Sequence, residues 1–456
     1  MQFSTIAAMR FGYGLSPLSR GAQDPAALLA GLREPDALAA RYPVITPGEG
    51  ARMLASFAPL KRAERANEPG AAEALLALKR TINTAIIAGL QAQVARAVAD
   101  ETGLRERLYQ FWRDHFTVRA RRQRQQGLMI AHGEEAVRPH LTGRFADMLT
   151  AAVTHPAMVV YLDQSVSIGP GSVRARKRPD RGLGLNENLA REVIELHTLG
   201  VGGSYGQHDV RELAELFTGM THSEFGGFQF LPDYAEPGAE TVLGKTFGGD
   251  PAKLADVEAA LVALARHPDT AQHLARKLAV HFVADRPDPA LVAALATAYE
   301  AADTDLMAVY EVLATHPAAA MDPAAKVRQP FEFIVTSLRA LGLSGDDVMA
   351  LGPRDLRRYL YGPLRLMGQR WNAPGGPDGW PEAAEDWIVP QLLAARIEWA
   401  MTAPAKLVGP LPDPRGFIDT ALAEAASDAL RFAVPRAESR AEGVGLVLAS
   451  PEFNRR

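Results

Sequence analysis

The side chains with the clearest chemical potential lie in one stretch, residues 185–200, with the sequence LNENLAREVIELHTLG. At about 100° per residue, Asn188, Glu192 and Glu195 fall on one side of a helix. The two glutamates are three residues apart, so both carboxylates could contact one cation or share one proton. We predict Glu192 and Glu195 as catalytic acid/base groups. The alternative is that they form only the solvated side of an amphipathic helix.

Two histidines add a second kind of chemistry. His197 falls on the apolar side of the same stretch, and His115, in the sequence FWRDHF, shares a helical face with apolar residues. If helix packing brings His115, His197 and Glu192 together, they form a His/carboxylate site for a divalent metal such as zinc, iron or manganese. The alternative for each histidine is a core side chain bonded to a backbone carbonyl.

Three more residues are predicted to bind a ligand. Asn188 extends the acidic stripe toward the helix start. Arg191, which immediately precedes Glu192, is a neighbouring salt partner. Asp163 ends the sequence YLD just before a Gly/Pro-rich basic loop, residues 165–184; its alternative role is to cap a helix. Long loops in compact proteins are often functional or disordered.

The arginine clusters at 119–124 and 174–181 lack interleaved aromatic residues, which disfavours nucleic-acid binding. They suit an anionic small molecule or an acidic protein partner better. The alternative for the cluster at 119–124 is a solvated helix end, where arginines interact favourably with the helix dipole.

The elements that must position these residues are mostly α-helical. Apolar residues recur at helical spacing through most of the 456-residue chain, and only 226–231 and 241–243 have strand character. We predict a multi-helix globular array with a small β-hairpin or lobe near 226–247. Three regions are expected within one continuous unit: N-terminal helices at 1–165, a central helical region with the hairpin insertion at 185–343, and C-terminal helices at 344–456.

Composition excludes several classes. The chain has no cysteine, which removes disulfides, thiolate metal sites and cysteine nucleophiles. The net charge of −4 gives no overall field favouring nucleic acid or an anionic membrane. No apolar run approaches the ~18 residues of a membrane span, and the N-terminal segment is too short and too weakly apolar for a secretory signal. We expect a soluble cytoplasmic protein.

Several segments together resemble the bacterial domain-of-unknown-function family 1800. They are FWRDHFTV, HPAMVVYLD, NENLAREVIELHTLGVGGSY, DVRELAELFTG, VLGKTF, RKLAVHFV, PFEFIVTSLRALGL, GWP and LASPEF, and they span nearly the whole chain. The resemblance implies a mostly helical fold and no established reaction. Family members often carry an export signal, whereas we expect none in this chain. They more usually have a histidine where Ala235 stands here, so a ligand role for that histidine would imply altered chemistry in this chain.

Two functional hypotheses follow. In the first, the protein is an enzyme with a carboxylate/histidine site, with or without a divalent metal, centred on the 185–200 stretch and acting on an anionic or polar small substrate. In the second, it is a non-catalytic helical partner or maturation protein in which the same residues form a structural network.

Overall fold

A computed structural model describes residues 1–223, 227–321 and 324–456 of the chain. Helices dominate it, which confirms the predicted mostly α fold. In the N-terminal part, Asp24 caps its helix by accepting a hydrogen bond from the Ala27 amide, and Pro25 takes the first helical position. The α-helices of five or more residues up to residue 165 are Pro25–Arg33, Ala37–Arg41, Glu49–Arg65, Ala71–Ala99, Leu104–His115, Gln126–His132, Phe145–Thr154 and Pro156–Tyr161.

The rest of the chain continues in the same way. The corresponding helices of the central region are Asn188–Glu192, Gln207–Leu216, Leu254–Ala265, Pro268–Phe282, Pro289–Ala301, Leu306–Thr315 and Pro330–Ala340. Those that follow are Gly345–Met349, Gly362–Leu366, Pro390–Thr402, Pro414–Leu422, Asp428–Ala433 and Arg440–Ala449. Wider π-helical turns occur at Ala7–Phe11, Gly133–Val137, Val193–His197 and Leu356–Tyr361. Among the described residues, no helix is both long and apolar enough to cross a membrane.

The predicted β lobe is confirmed, and it consists of two antiparallel hairpins. Strand Met220–His222 pairs with Phe228–Phe230, and Gly238–Val242 pairs with Lys245–Gly249. The two segments with strand character therefore belong to different hairpins rather than pairing with each other. Gly226, at the start of the first segment, lies outside the described residues.

The buried apolar side chains form two clusters. The first joins the helices around Leu104–His115 to the central helices, as far along the chain as Ala319. The second joins the C-terminal half of Ala71–Ala99 to Pro330–Ala340 and to the helices after it. Side chains from both clusters meet around one cavity: Phe111 belongs to the first, and Tyr13 to the second. The predicted division into three regions stays a prediction.

The stretch predicted to be chemically important forms a shorter helix than its sequence pattern indicates. We call Asn188–Glu192 with the π turn Val193–His197 the signature helix. It ends at Thr198, whose φ of −127° and ψ of −98° are not helical. Because the last carbonyl groups of a helix have no partner within it, they are free to accept hydrogen bonds from side chains elsewhere.

Candidate functional site

A cavity of about 130 Å³ lies where the two apolar clusters meet. Its walls combine aromatic rings with an unusually high density of ionisable groups. The polar groups that the following paragraphs use are Arg107, Asp114, His115, Lys277, His281, Glu332, Asn372, Asp378 and Glu382. Concave sites that combine apolar walls with a few convergent polar groups are the usual location of ligand binding and catalysis.

Asp114 stands near the end of the helix Leu104–His115 and faces the loop that carries the sequence GGPDGWP. The Trp380 amide donates to both carboxylate oxygens of Asp114, at 3.2 Å to Oδ1 and 2.9 Å to Oδ2. Gly379 allows this approach, because its φ is +87° and a Cβ there would lie 2.5 Å from Asp114 Oδ2. The loop therefore closes directly over the carboxylate.

The Asp114 carboxyl has an unusual acidity. Loss of hydration raises its pKa to about 7, and the nearby Glu382 carboxylate adds to the rise. The Trp380 amide, Lys277 and Arg113 act in the opposite direction but do not cancel the effect of burial. A carboxyl with this pKa exchanges its proton near neutral pH, which is the property that a general acid or base requires.

Lys277 supplies the positive charge of the cavity. It lies on the helix Pro268–Phe282, between His273 and His281 at intervals of four residues, so all three side chains share one face. Burial lowers the pKa of Lys277, and Asp114 and the other carboxylates near it limit the fall. The Lys277 Nζ lies 3.1 Å from His115 Nδ1.

Hydrogen bonds fix the ring of His115. Its Nε2 lies 3.2 Å from the carbonyl oxygen of His197, so Nε2–H donates to that carbonyl and Nδ1 accepts from Lys277. Burial, followed by the positive charge of Lys277, holds the pKa of His115 well below its ordinary value. His115 is therefore a neutral side chain that orients the lysine.

His273 is fixed in the same way by the preceding residue of the signature helix. Its Nε2 lies 3.0 Å from the carbonyl oxygen of Leu196. Burial and Lys277 lower the pKa of His273 to about 4. The end of the signature helix thus presents two carbonyl groups, those of Leu196 and His197, to two histidines that flank Lys277.

A network of ion pairs forms the floor of the cavity. Arg107 Nη2 lies 2.9 Å from Glu332 Oε1, and Arg456 Nε lies 2.9 Å from Glu332 Oε2. Burial opposes ionisation of Glu332, but the two guanidinium groups outweigh it and lower its pKa to about 2. Glu332 is 6% exposed and Arg456 is completely buried, so this is a charge network of the protein interior.

The network continues through His281. Arg107 Nη2 lies 3.3 Å from His281 Nε2, and His281 Nδ1 lies 2.5 Å from Glu382 Oε1. Lys326, which is fully buried, donates to Asp285 at 2.5 Å and lies 3.4 Å from Glu382 Oε2. Burial disfavours the charged form of Glu382, yet His281 and Lys326 lower its pKa to about 2.

The structure gives the predicted acid/base pair a different setting from that of Asp114. Burial, Glu195 and Asp378 raise the pKa of Glu192 to about 6, so this carboxyl also titrates above its ordinary range. Glu195 is bound by Arg191, whose Nη1 lies 3.2 Å from Glu195 Oε1. Asp378 lines the cavity and acts on both Glu192 and Lys277, which connects the signature helix with the cavity electrostatically.

The residues predicted to bind a ligand are more exposed. Asn188 is exposed at the start of the signature helix, and Arg191 is shared among Glu187, Glu195 and Gln207. Asp163 has a φ of +57° and pairs with Arg121 at 2.6 Å, a contact in which both side chains are about half exposed.

The structure brings two of the three predicted metal ligands together. The rings of His115 and His197 have centroids 5.7 Å apart, and burial lowers the pKa of His197 to about 3. Both nitrogens of His115 are already engaged, however, one of them by the Lys277 amine. Within residues 1–223, 227–321 and 324–456, no group of three or more His, Asp or Glu side chains is arranged to hold a metal ion. The arrangement does not fit a resident metal at these ligands, and we derive no step through one.

Sequence reasoning identified the FWRDHF helix but not Asp114 within it, and it predicted no site role for His281. The spacing of His273, Lys277 and His281 was a usable signal, because intervals of four residues place a lysine between two histidines on one helical face. Nothing in the local sequence indicates that Trp380 and Glu382, more than 250 residues after Asp114, would reach the same cavity.

These features define a mostly helical protein whose most distinctive site is a small charged cavity between two apolar clusters. The family model described as "Protein of unknown function (DUF1800)" matches residues 6–455, and the chain belongs to this family. Neither a curated protein sequence nor a solved structure shows detectable similarity to the chain. Ala235, where the resemblance led us to expect a histidine in other members, is buried against Gly219 in the β lobe and does not line the cavity.

Proposed function

We propose that the protein is an enzyme that performs acid–base chemistry on a polar or anionic small molecule bound in the cavity. The observation that carries this proposal is the Asp114 carboxyl, whose pKa of about 7 lies beside a lysine of lowered pKa. Structural carboxylates in the same cavity have the opposite shift, which distinguishes Asp114 from them. Strongly perturbed groups in a cleft are the usual sign of catalysis.

In this proposal Asp114 takes or gives a proton at the substrate, and the Lys277 ammonium stabilises the negative charge that develops there. His115 is a positioning residue, because it contacts Lys277 and reaches the signature helix through the His197 carbonyl. The cavity volume of about 130 Å³ suits the reacting end of a small molecule rather than a large substrate.

Glu192 and Glu195 enter the proposal as a second acid/base pair outside the cavity, with Asn188, Arg191 and Asp163 binding the remainder of the substrate. Support for Glu192 comes from its pKa of about 6 and from its interaction with Asp378 at the cavity. No metal takes part in this proposal, because both ring nitrogens of His115 are already engaged. The divalent metal predicted at His115, His197 and Glu192 is tested separately, by metal analysis of the purified protein.

The test is a substrate screen with matched variants. The wild-type protein is incubated with a library of small polar and anionic metabolites, and consumption is followed by mass spectrometry. We expect at least one compound to be consumed, with the rate lost in Asp114→Asn and reduced in Lys277→Met. Asp428→Asn removes an exposed carboxylate at the start of the helix Asp428–Ala433 and should leave the rate unchanged.

Consumption that survives unchanged in Asp114→Asn would contradict the proposal. So would a library in which no compound is consumed while the wild-type protein binds a protein partner in stoichiometric amount, because that result favours a partner or maturation role. Lys277→Met should also shift the pH at which the rate is half-maximal, since Lys277 holds the pKa of Asp114 down.

A further inference from the structure

The wall between the cavity and a neighbouring surface groove contains buried donors that lack a partner. Arg113 and Asn372 both line the cavity, and Asn372 also lines the groove. Arg113 Nη1 donates to Asn372 Oδ1, which turns the Asn372 amide so that its Nδ2 points away from Arg113. Within the described part of the chain, Asn372 Nδ2 and Arg113 Nε are buried and have no hydrogen-bond partner.

Unsatisfied buried donors are rare in folded proteins because they cost free energy. Asn372 lines the groove, so an acceptor-rich ligand bound there would accept from its Nδ2. Asn372 also has a φ of +53°, a left-handed conformation that asparagine tolerates better than most residues and that is often retained at binding sites. The wall is therefore arranged to receive oxygen atoms.

The groove beyond the wall is strongly positive. It has a volume of about 450 Å³, and among the described residues its lining includes Arg119, Arg121, Arg122 and Arg370 but no acidic side chain. Arg121 is paired with Asp163, whereas Arg122 and Arg370 are exposed. Arg119 donates to the carbonyl groups of Pro374 and Gly375, which holds its guanidinium beside the same loop as Asn372.

We propose that this groove binds the phosphate group of a phosphomonoester, with Asn372 at the inner end and Arg122 and Arg370 at the outer end. A dianionic tetrahedral group offers the several acceptors that the buried Asn372 amide and the fork-shaped guanidiniums require. The position of the organic part of the ester rests on the proposed function. That part extends toward Asp114, past Trp371 and Asn372, which line both the groove and the cavity.

The second arginine cluster gives a natural control. Arg174 stacks over the Tyr234 ring at 5.3 Å, and Arg178 is exposed in the basic loop; neither lines the groove. If phosphate were attracted only by general surface charge, replacing Arg178 would weaken binding as much as replacing Arg122. A specific groove predicts that only Arg122 matters.

Isothermal titration calorimetry on the full-length protein tests the inference, with inorganic phosphate, phenyl phosphate and benzoate as probes. We expect phosphate and phenyl phosphate to bind and benzoate to bind at least tenfold more weakly. Asn372→Asp removes the amide donor and adds a negative charge, and should weaken phosphate binding by about tenfold or more. Arg122→Gln and Arg370→Gln should each weaken it by about two- to fivefold, and Arg178→Gln should have no effect.

Tighter binding of phenyl phosphate than of inorganic phosphate indicates that the ligand is an ester. Equal binding of the two assigns the groove to free phosphate and overturns the proposal of an ester ligand. No phosphate binding to the wild-type protein, or equal weakening by Arg122→Gln and Arg178→Gln, overturns the groove itself. The Asp114→Asn variant separates the two proposals. If it binds phosphate normally and the wild-type protein consumes no substrate, the proposed function fails while the phosphate site stands.

Discussion

Glu332 and Asp114 line one cavity, yet the protein shifts the pKa of their carboxyl groups in opposite directions. The pKa of Glu332 is lowered to about 2 and that of Asp114 is raised to about 7. Both groups lose hydration, so burial alone does not explain the difference. Glu332 is contacted by two guanidiniums, whereas within the described residues the Asp114 carboxylate accepts hydrogen bonds only from the Trp380 amide.

This difference indicates that the floor and the wall of the cavity have different roles. On the floor, Glu332 is ionised at neutral pH and ties Arg456 to the helices Leu104–His115 and Pro330–Ala340. On the wall, the partial neutralisation of Asp114 leaves a proton that can be exchanged near neutral pH. The floor stabilises the fold, and the wall is suited to chemistry.

The largest expected effect comes from disrupting the ion-pair network at the floor of the cavity. Glu332→Gln should destabilise the protein by about 3–5 kcal/mol, because two buried guanidiniums lose their shared partner. Denaturant unfolding at pH 7 measures the loss, and Glu258→Gln, at an exposed helix position, is the control. If the two variants have equal stability, the floor is not a structural network.

The second effect concerns pH. The folded pKa of Asp114 lies above its unfolded value, so its contribution to stability is present at low pH and is lost as the pH rises toward 7. Asp114→Asn removes this dependence. The stability of the variant relative to wild type should therefore rise by about 2–3 kcal/mol between pH 5 and pH 8.

Denaturant unfolding of both proteins across this pH range gives the difference directly. Glu332→Gln, if it folds, should behave in the opposite sense: Glu332 contributes stability above its ordinary pKa, and that contribution is lost as the pH falls toward 2. A stability difference between wild type and Asp114→Asn that does not change with pH would count against the raised pKa.

A smaller effect tests the loop that closes over Asp114. Gly379→Ala places a Cβ 2.5 Å from Asp114 Oδ2 at a φ of +87°, and should cost about 1–3 kcal/mol. Gly375→Ala in the same loop is the matched control, because a Cβ there meets nothing within 4 Å and its φ is not in the left-handed region. Thermal unfolding compares the two; equal melting temperatures would show that the loop is not held against Asp114.

The smallest effect links Lys277 to Asp114. Lys277→Met removes the ammonium that favours the ionised carboxylate, so the pKa of Asp114 should rise further, by about one unit. Lys406→Met, at an exposed position, should leave it unchanged. Carboxyl carbon NMR of protein labelled at aspartate measures the change in pKa. An unaltered Asp114 titration in Lys277→Met would show that the ammonium does not influence the Asp114 carboxyl.

The sequence predicted the helical class and the β lobe because periodicity is a local property. It also predicted a site at the signature helix and the FWRDHF helix, and that stays a prediction. What it could not predict is which atoms those helices contribute. The signature helix contacts His273 and His115 through the carbonyl groups of Leu196 and His197, which lie at its π-helical end.

The rest of the cavity depends on contacts between residues that are distant in sequence. Asp114 lies beside Trp380, and Arg107 pairs with Glu332 and with the network that ends at Arg456. Helical spacing carries no information about such pairs. The sequence places Lys277 on one helical face with His273 and His281. Its lowered pKa, however, arises from burial, which depends on the assembled fold.

The most direct test of this account is the titration of Asp114 itself in the wild-type protein. Carboxyl carbon NMR of aspartate-labelled protein, assigned by comparison with Asp114→Asn, should show one resonance that titrates near pH 7 and is missing from the variant. A missing resonance that titrates near pH 4 would place Asp114 among ordinary surface carboxylates and contradict its role as the proton-exchanging group.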